Sequence, residues 1–257
     1  VFINPGDRIV VESPTYLGAL QAWNAYEAEY VPVPVDENGM QVDALESALR
    51  DQVKFIYVLP NFQNPTGVTL SLERRRRLVE VAERLGVPIV EDDPYGQLRY
   101  EGDHLPALVT LDGKSKCDTC YRGNVIYLST FSKTLAPGIR LGWVVAPPQV
   151  IRKLVLAKQG TDLHTATFNQ LVAYQVARGG FLDQHVRFIR NVYRERRDTM
   201  FATIAEHFPP SVQTTRPLGG LFLWGTLPRG VDANDILRAA IKEQVAFVPG
   251  GPFYPCG

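Results

Sequence analysis

The sequence predicts an α/β fold with a mostly parallel sheet and flanking helices, followed by a long helix and a short tail of mixed α and β character. Two observations carry this. From residue 8 to about residue 160, short apolar runs bounded by turn residues alternate with amphipathic helical stretches, which is the pattern of βαβ units. A long helical pattern, Leu182 to Phe208, then leads into a tail that reads β-α-β, as Gly220–Leu227, Ala233–Gln244 and Val245–Pro249.

The elements follow in order. Arg8–Val11 reads as a strand. Val42–Arg50 reads as a helix, and Phe55–Leu59 as a buried strand, because its residues are apolar without interruption. Leu72–Leu85 is helical, with Leu78, Val79, Ala82 and Leu85 at helical spacing. The basic run Arg74–Arg77 on that helix reads as a solvated face. Val87–Val90 is a strand, and Gly113–Gly123 is a polar surface loop. Asn124–Phe131 is strand-like, and the apolar run Leu141–Ala146 follows as a second buried strand. On the long helix, Val186, Ile189, Val192, Tyr193, Met200 and Ile204 form the apolar side. No internal repeat or low-complexity linker interrupts the chain.

Composition narrows the function classes. The 257 residues are 45% apolar, enough for a sizeable core. Lys+Arg and Asp+Glu are equal at 27 each, so there is no electrostatic case for nucleic acid or an anionic membrane surface. No apolar segment has transmembrane length, and no signal-peptide pattern is present. Cys117 and Cys120 form a lone Cys-x-x-Cys without a second pair or a histidine pair, whereas zinc takes four ligands; no metal is expected. The histidines, at 104, 164, 185 and 207, lack metalloprotease spacing, and neither Gly-x-Gly-x-x-Gly nor a Walker pattern occurs. A reducing cytoplasm fits this cysteine usage.

Four segments carry chemistry. Ser129-Thr-Phe-Ser-Lys133 through Arg140 places one amine, flanking hydroxyls and a guanidinium in a loop loosened by Pro137 and Gly138. Taken alone Lys133 reads as a solvated loop lysine; desolvated, it is suited to Schiff-base formation, and Thr130, Ser132 and Arg140 to holding a phosphate. Pro60–Gly67, with Asn64-Pro-Thr-Gly67, follows the strand Phe55–Leu59. By itself it reads as a turn, or as a side chain held at a strand's carboxyl end, where open α/β sheets bind ligands. Val87–Tyr95 ends an apolar run in Asp92, Asp93 and Tyr95. A carboxylate there suits a protonated ring nitrogen and a phenol suits a ring oxygen, though Asp93-Pro94 also opens a turn. Glu12–Gly18 offers Tyr16, either a core aromatic at a helix start or a ring that stacks on a flat cofactor.

Taken together, the segments resemble the fold type I, pyridoxal-phosphate-dependent aminotransferases of class I/II, whose order is tyrosine, Asn-Pro-Thr-Gly, Asp-x-x-Tyr, Ser-Lys, arginine. Within that family Ala157–His164, Thr215–Trp224 and Val245–Phe253 are most similar to the bacterial 2-aminoadipate and broad-specificity enzymes. The resemblance implies pyridoxal 5'-phosphate as cofactor, Lys133 as its Schiff-base lysine and proton carrier, and Asp92 as partner of the pyridine nitrogen. It implies Tyr95 and Asn64 as donors to the phenolic oxygen, Tyr16 as the stacking ring, and Thr130, Ser132 and Arg140 as phosphate contacts. Lys133, Asp92 and Tyr95 are thus the expected catalytic residues.

The same resemblance implies ping-pong transfer between an α-amino acid and a 2-oxo acid such as 2-oxoglutarate, in a full-length homodimer. It divides the chain into a cofactor-binding large domain, residues 1–190, and part of a small α+β domain, residues 191–257, both incomplete. The upstream glycine-rich phosphate turn and the downstream arginine for the substrate carboxylate are not in the sequence, which points to a piece of a longer polypeptide. Two other readings stay open. The domain also occurs behind a winged helix as the effector domain of transcriptional regulators, and fold-type relatives perform elimination or decarboxylation with the same lysine and aspartate.

Overall fold

The computed structural model describes residues 1–49, 52–113 and 120–255. In chain order its first elements are β1 (Arg8–Ser13), α1 (Leu17–Asn24), β2 (Glu29–Asp36), β3 (Gly39–Met40), α2 (Leu45–Ala48) and β4 (Val53–Val58). Then come α3 (Leu72–Leu85), β5 (Ile89–Asp92), α4 (Leu108–Leu111), β6 (Val125–Thr130) and β7 (Gly142–Val145). The remainder is α5 (Pro148–Thr161), α6 (Thr167–Ala177), α7 (Phe181–His207), β8 (Gln213–Thr214), β9 (Gly225–Thr226) and α8 (Ala233–Lys242).

Strands β1 to β7 form one sheet in the order β3-β2-β1-β4-β5-β6-β7. The pairs β2/β1, β1/β4, β4/β5 and β5/β6 are parallel, and β2/β3 and β6/β7 antiparallel. Successive strand side chains point to opposite faces, and here both faces are apolar. Val10, Ile56, Val58, Ile89 and Val125 pack with Leu78, Val79 and Ala82 of α3. Ile9, Val11, Phe55, Tyr57, Val90 and Ile126 pack on the other side with Ala19, Trp23, Val150 and Ile151 of α1 and α5. A parallel sheet covered on both faces explains why these strands read as continuous apolar runs. Each fully buried Val, Ile or Leu contributes about 1.5–3 kcal/mol.

Helix α3 begins where Ser71 accepts a hydrogen bond from Arg74 N at 3.3 Å, and ends at Gly86 with φ 68°. These are an N-cap and a left-handed C-cap.

Several expectations are corrected. The helix expected over Val42–Arg50 is a 3-10 turn, Val42–Ala44, followed by α2; Arg50 lies outside the described residues. Leu85 is exposed at the end of α3, and Val81 takes a buried place instead. The run Arg74–Arg77 is not uniformly solvated. Arg74 forms a forked pair with Asp36, at 2.5 and 2.7 Å. Arg75 is fully buried, donating to the carbonyls of Leu70, Pro60 and Pro106 and to Asn61 Oδ1. Four acceptors in one pocket are what allow a guanidinium to be buried.

The strand predicted over Leu141–Ala146 is not buried throughout. Trp143 and Val144 are exposed in β7, which as the edge strand is paired only to β6. On α7, Met200 is exposed while Arg197 is buried, because Arg197 donates to Pro217 O at 3.0 Å and pairs with Glu101 and Asp198. Val245–Pro249 forms no strand. Val245 and Val248 stay exposed, with no strand partner among the described residues. Cys117 and most of the Gly113–Gly123 loop lie outside the described residues; Cys120 is described and is half-buried.

Candidate active site

The predicted residues gather along one edge of the sheet. Tyr16 follows β1, Asn64 follows β4, Asp92 and Tyr95 end and follow β5, and Thr130, Ser132 and Lys133 end and follow β6. Those four strands are consecutive neighbours and mutually parallel. Arg140 precedes antiparallel β7 and therefore sits at the same edge, where Thr130 pairs with Gly142. Carboxyl ends of strands in an open α/β sheet are where ligands bind.

At the end of β1, Ser13–Pro14 is cis and Tyr16 stands at the N-cap of α1, 38% exposed. Thr15 N donates to Phe253 O at 2.9 Å, bringing the C-terminal tail to this edge. After β4, Gln63 ties the loop together. Its Nε2 donates to Pro14 O at 2.8 Å, and its Oε1 accepts from Thr66 Oγ1 at 2.5 Å. Asn64, nearly buried, precedes a cis proline bond.

The two aspartates at the end of β5 differ in their partners. Asp93 accepts from Asn61 Nδ2 at 2.9 Å, Gly96 N at 2.9 Å and Tyr127 Oη at 3.0 Å, while its carbonyl accepts from Ser129 Oγ at 2.9 Å. It is occupied in holding the turn. Asp92 accepts from Tyr57 Oη at 2.7 Å through Oδ2, and Oδ1 has no donor among the described residues. Burial pushes the Asp92 carboxyl up to about 6 against the Tyr57 hydrogen bond, with the Asp93 charge adding to the rise. It is therefore a carboxylate with an open acceptor and a deficit of positive charge.

Tyr95 is buried, edge-on to Phe222 at 5.6 Å between ring centroids. Burial raises its phenol's pKa, as do the nearby Tyr16 and Asp92, while a hydrogen bond with Asn64 lowers it. At neutral pH the hydroxyl keeps its proton and remains a donor.

Past β6 the chain folds back on itself. Phe131 N donates to Leu141 O at 3.0 Å, and so does Thr130 Oγ1 at 2.8 Å. Ser132 N donates to Thr130 Oγ1 at 3.0 Å, and the Thr130 and Ser132 hydroxyl oxygens are also 3.0 Å apart. Lys133 is half-buried, and its amine makes no hydrogen bond among the described residues. Arg140 is exposed and left-handed at φ 52°, with Nη1 on Pro137 O at 3.1 Å. A non-glycine residue in that region is strained, and such strain clusters at ligand clamps.

Structure also reveals supports that the sequence did not disclose. Tyr57 holds Asp92, Asn61 holds Asp93, and Thr215 Oγ1 donates to Thr66 O at 2.7 Å. Glu12 is buried and accepts from Leu59 N at 3.0 Å. Burial pushes its carboxyl up to about 8, so it keeps its proton at neutral pH. A usable signal existed for Tyr57: a phenol inside an otherwise apolar buried strand needs a buried acceptor.

Residues 1–255 match the family model described as Aminotransferase class I and II. Aromatic-amino-acid aminotransferase 1 of Thermococcus litoralis is 48% identical over 260 residues, covering 99% of this chain and 60% of that protein. A crystal structure of a kynurenine aminotransferase from Pyrococcus horikoshii superposes with a TM-score of 0.93 at 48% identity, covering 99% of this chain and 62% of that one. The alpha-aminoadipate aminotransferase LysN of Thermus thermophilus, solved with N-(5'-phosphopyridoxyl)-L-leucine, superposes at 0.94 with 41% identity, covering 100% and 64%. The chain spans 60–64% of the length of the first curated relatives it matches.

Proposed function

The chain belongs to the class I and II aminotransferases, and from that premise we propose that it exchanges an amino group between an α-amino acid and a 2-oxo acid. The amino acid is 2-aminoadipate, leucine or an aromatic residue, and the acceptor is 2-oxoglutarate or a similar acid, with pyridoxal 5'-phosphate as cofactor. The observation that carries the proposal is the alignment of an unpaired amine, an open carboxylate, two polar donors and a hydroxyl–guanidinium cluster along four adjacent strand ends.

That donor set fits the cofactor group by group. Asp92 has an acceptor oxygen left for a cationic ring nitrogen. Tyr95 and Asn64 have protons for a phenolic oxygen, and Ser132, Thr130 and Arg140 suit a phosphate. Tyr16 is exposed enough to stack on a ring. Bound there, the cofactor supplies an aldehyde and an electron-withdrawing ring, and the protein supplies orientation and electrostatics.

In this reading the Lys133 amine would hold the cofactor's aldehyde group and, once freed, would carry the proton at the amino acid's Cα. Asp92, held by Tyr57, would accept from the ring nitrogen. Tyr95 and Asn64 would orient the ring, and Arg140 and Ser132 would hold its phosphate through charge-assisted bonds. The first 2-oxo acid leaves before the second enters, so the kinetics are ping-pong.

The proposal includes a homodimer in the cytoplasm and the division at 190/191 into cofactor-binding and small domains. Exposed Leu156, Phe168 and Leu171 on α5 and α6 support a covered face. Borohydride reduction of the cofactor-loaded protein, followed by peptide mapping, should tag Lys133. A tag on another lysine refutes the assignment. Assays of 2-aminoadipate, leucine, kynurenine and glutamate against 2-oxoglutarate name the substrate, and turnover of none refutes the activity.

A further inference from the structure

Arginines gather on one face of the first half of α7. Arg187, Arg190 and Arg194 fall three and four residues apart, so their side chains share a side of the helix. With Asn191, and with Arg99 and His104 from the loop after Tyr95, they line a groove of about 390 Å3.

The deepest member is Arg99, 8% exposed. Its guanidinium lies 4.9 Å from the Phe62 ring centroid, and Nη1 donates to Glu101 O at 3.2 Å. Its Nη2 is buried without a hydrogen-bond partner. A buried donor left unpaired is costly and rare in folded proteins.

The nearby carboxylates are largely committed elsewhere. Glu101 and Asp198 pair with Arg197. Arg99, Arg187, Arg190 and Arg194 form no ion pair among the described residues. Arg190 donates to Gln97 O at 2.5 Å and lies 3.1 Å from His104 Nε2. Burial, followed by the Arg190 and Arg99 charges, pushes the His104 pKa down; Asp93 and Asp103 oppose this more weakly. His104 is therefore neutral and free to accept the proton of Arg190. Four guanidinium groups converge on one groove against one close carboxylate, Asp103, which acts on Arg99.

We propose that this groove binds a phosphate-bearing small molecule of two or more negative charges, at a site separate from Ser132 and Arg140. Guanidinium forks match phosphate oxygens two at a time. An oxyanion there neutralises the guanidinium groups that line the groove, Arg99 among them, and relieves the crowding of like charge. A singly charged carboxylate would leave most of the guanidinium groups unneutralised. The inference does not depend on the transamination reading.

The probe is pyrophosphate, titrated calorimetrically into the protein saturated with pyridoxal phosphate, so that the edge of the sheet is already engaged. The expected Kd is below about 1 mM, rising with salt. The doubly substituted protein Arg187→Gln/Arg194→Gln should bind at least about tenfold more weakly, for the loss of two charge-assisted contacts. Both side chains are exposed, so the fold is unaffected. Arg99→Met should weaken binding with an unchanged circular dichroism spectrum. Absence of pyrophosphate binding overturns the proposal, as does binding indifferent to Arg187→Gln/Arg194→Gln. Binding lost in Arg140→Ala instead would put the anion in the cofactor site, and tighter binding of malonate than of pyrophosphate would refute the phosphate assignment.

Discussion

Replacing Asp92 by asparagine should strengthen the cofactor-free fold while disabling the chemistry. Asp92 is half-buried at the end of β5, with Tyr57 as its one donor among the described residues, and desolvation pushes its carboxyl from an ordinary 3.8 up to about 6. Holding it ionised in the fold costs about 3 kcal/mol. Asparagine keeps an oxygen for the Tyr57 hydroxyl and carries no charge, so most of that cost should disappear. Above pH 6 the native carboxyl is ionised in both folded and unfolded chains, and the full difference is present. As pH falls from 6 to 4 the folded carboxyl takes up its proton first, and the difference shrinks. Below about 4 it is protonated in both states and the difference vanishes.

Urea unfolding of the cofactor-free proteins at pH 8 and pH 4 measures this. Asp92→Asn should be about 2–3 kcal/mol more stable at pH 8 and about equal at pH 4. The same variant should lose about a hundredfold or more in turnover, roughly 3 kcal/mol in the barrier, because an amide cannot hold the ring proton. A variant that is less stable at pH 8, or whose advantage is the same at both pH values, would refute the account of Asp92 as a charge held out of water. Near-native activity would refute its role.

Arg140→Ala should weaken cofactor binding by about 1.5–3 kcal/mol with little change in turnover at saturating cofactor; equal affinity in a fluorescence titration would exclude a phosphate contact. In Tyr57→Phe the Asp92 carboxyl loses its donor, so its pKa should move above about 6. Cofactor affinity should then begin to fall at a higher pH than in the native protein, by about tenfold at pH 6, which a pH series of cofactor titrations reads directly. Arg75→Met leaves the Leu70 and Pro106 carbonyls and Asn61 Oδ1 without their donor, while Pro60 O keeps Leu70 N, and should cost about 3 kcal/mol in urea unfolding. Arg76→Ala, next to it but exposed, should change stability by less than about 0.5 kcal/mol.

What the sequence determined by itself was local. The uninterrupted apolar run Phe55–Leu59 announced a buried strand, Asn124–Phe131 read as strand-like, and the spacing of apolar residues over Leu72–Leu85 announced a helix. Turn residues after those strands marked Asn64, Asp92, Tyr95, Ser132 and Lys133 as polar groups at strand ends. Tertiary structure alone decided which ends are neighbours, because β1 lies beside β4, with β2 on its far side. It decided that Asp92, not Asp93, keeps an open oxygen, since the donors that occupy Asp93 include Asn61 from the loop after β4 and Tyr127 on β6. It also buried Arg75 from the middle of a basic run, exposed Met200 and buried Arg197 on one helix, and left Val245–Pro249 without a strand to join. The physical reason is one of range. Periodicity and capping act over a few residues and are written along the chain. The hydrogen-bond partners that make a buried charge tolerable lie tens of residues away, and only the folded chain brings them together.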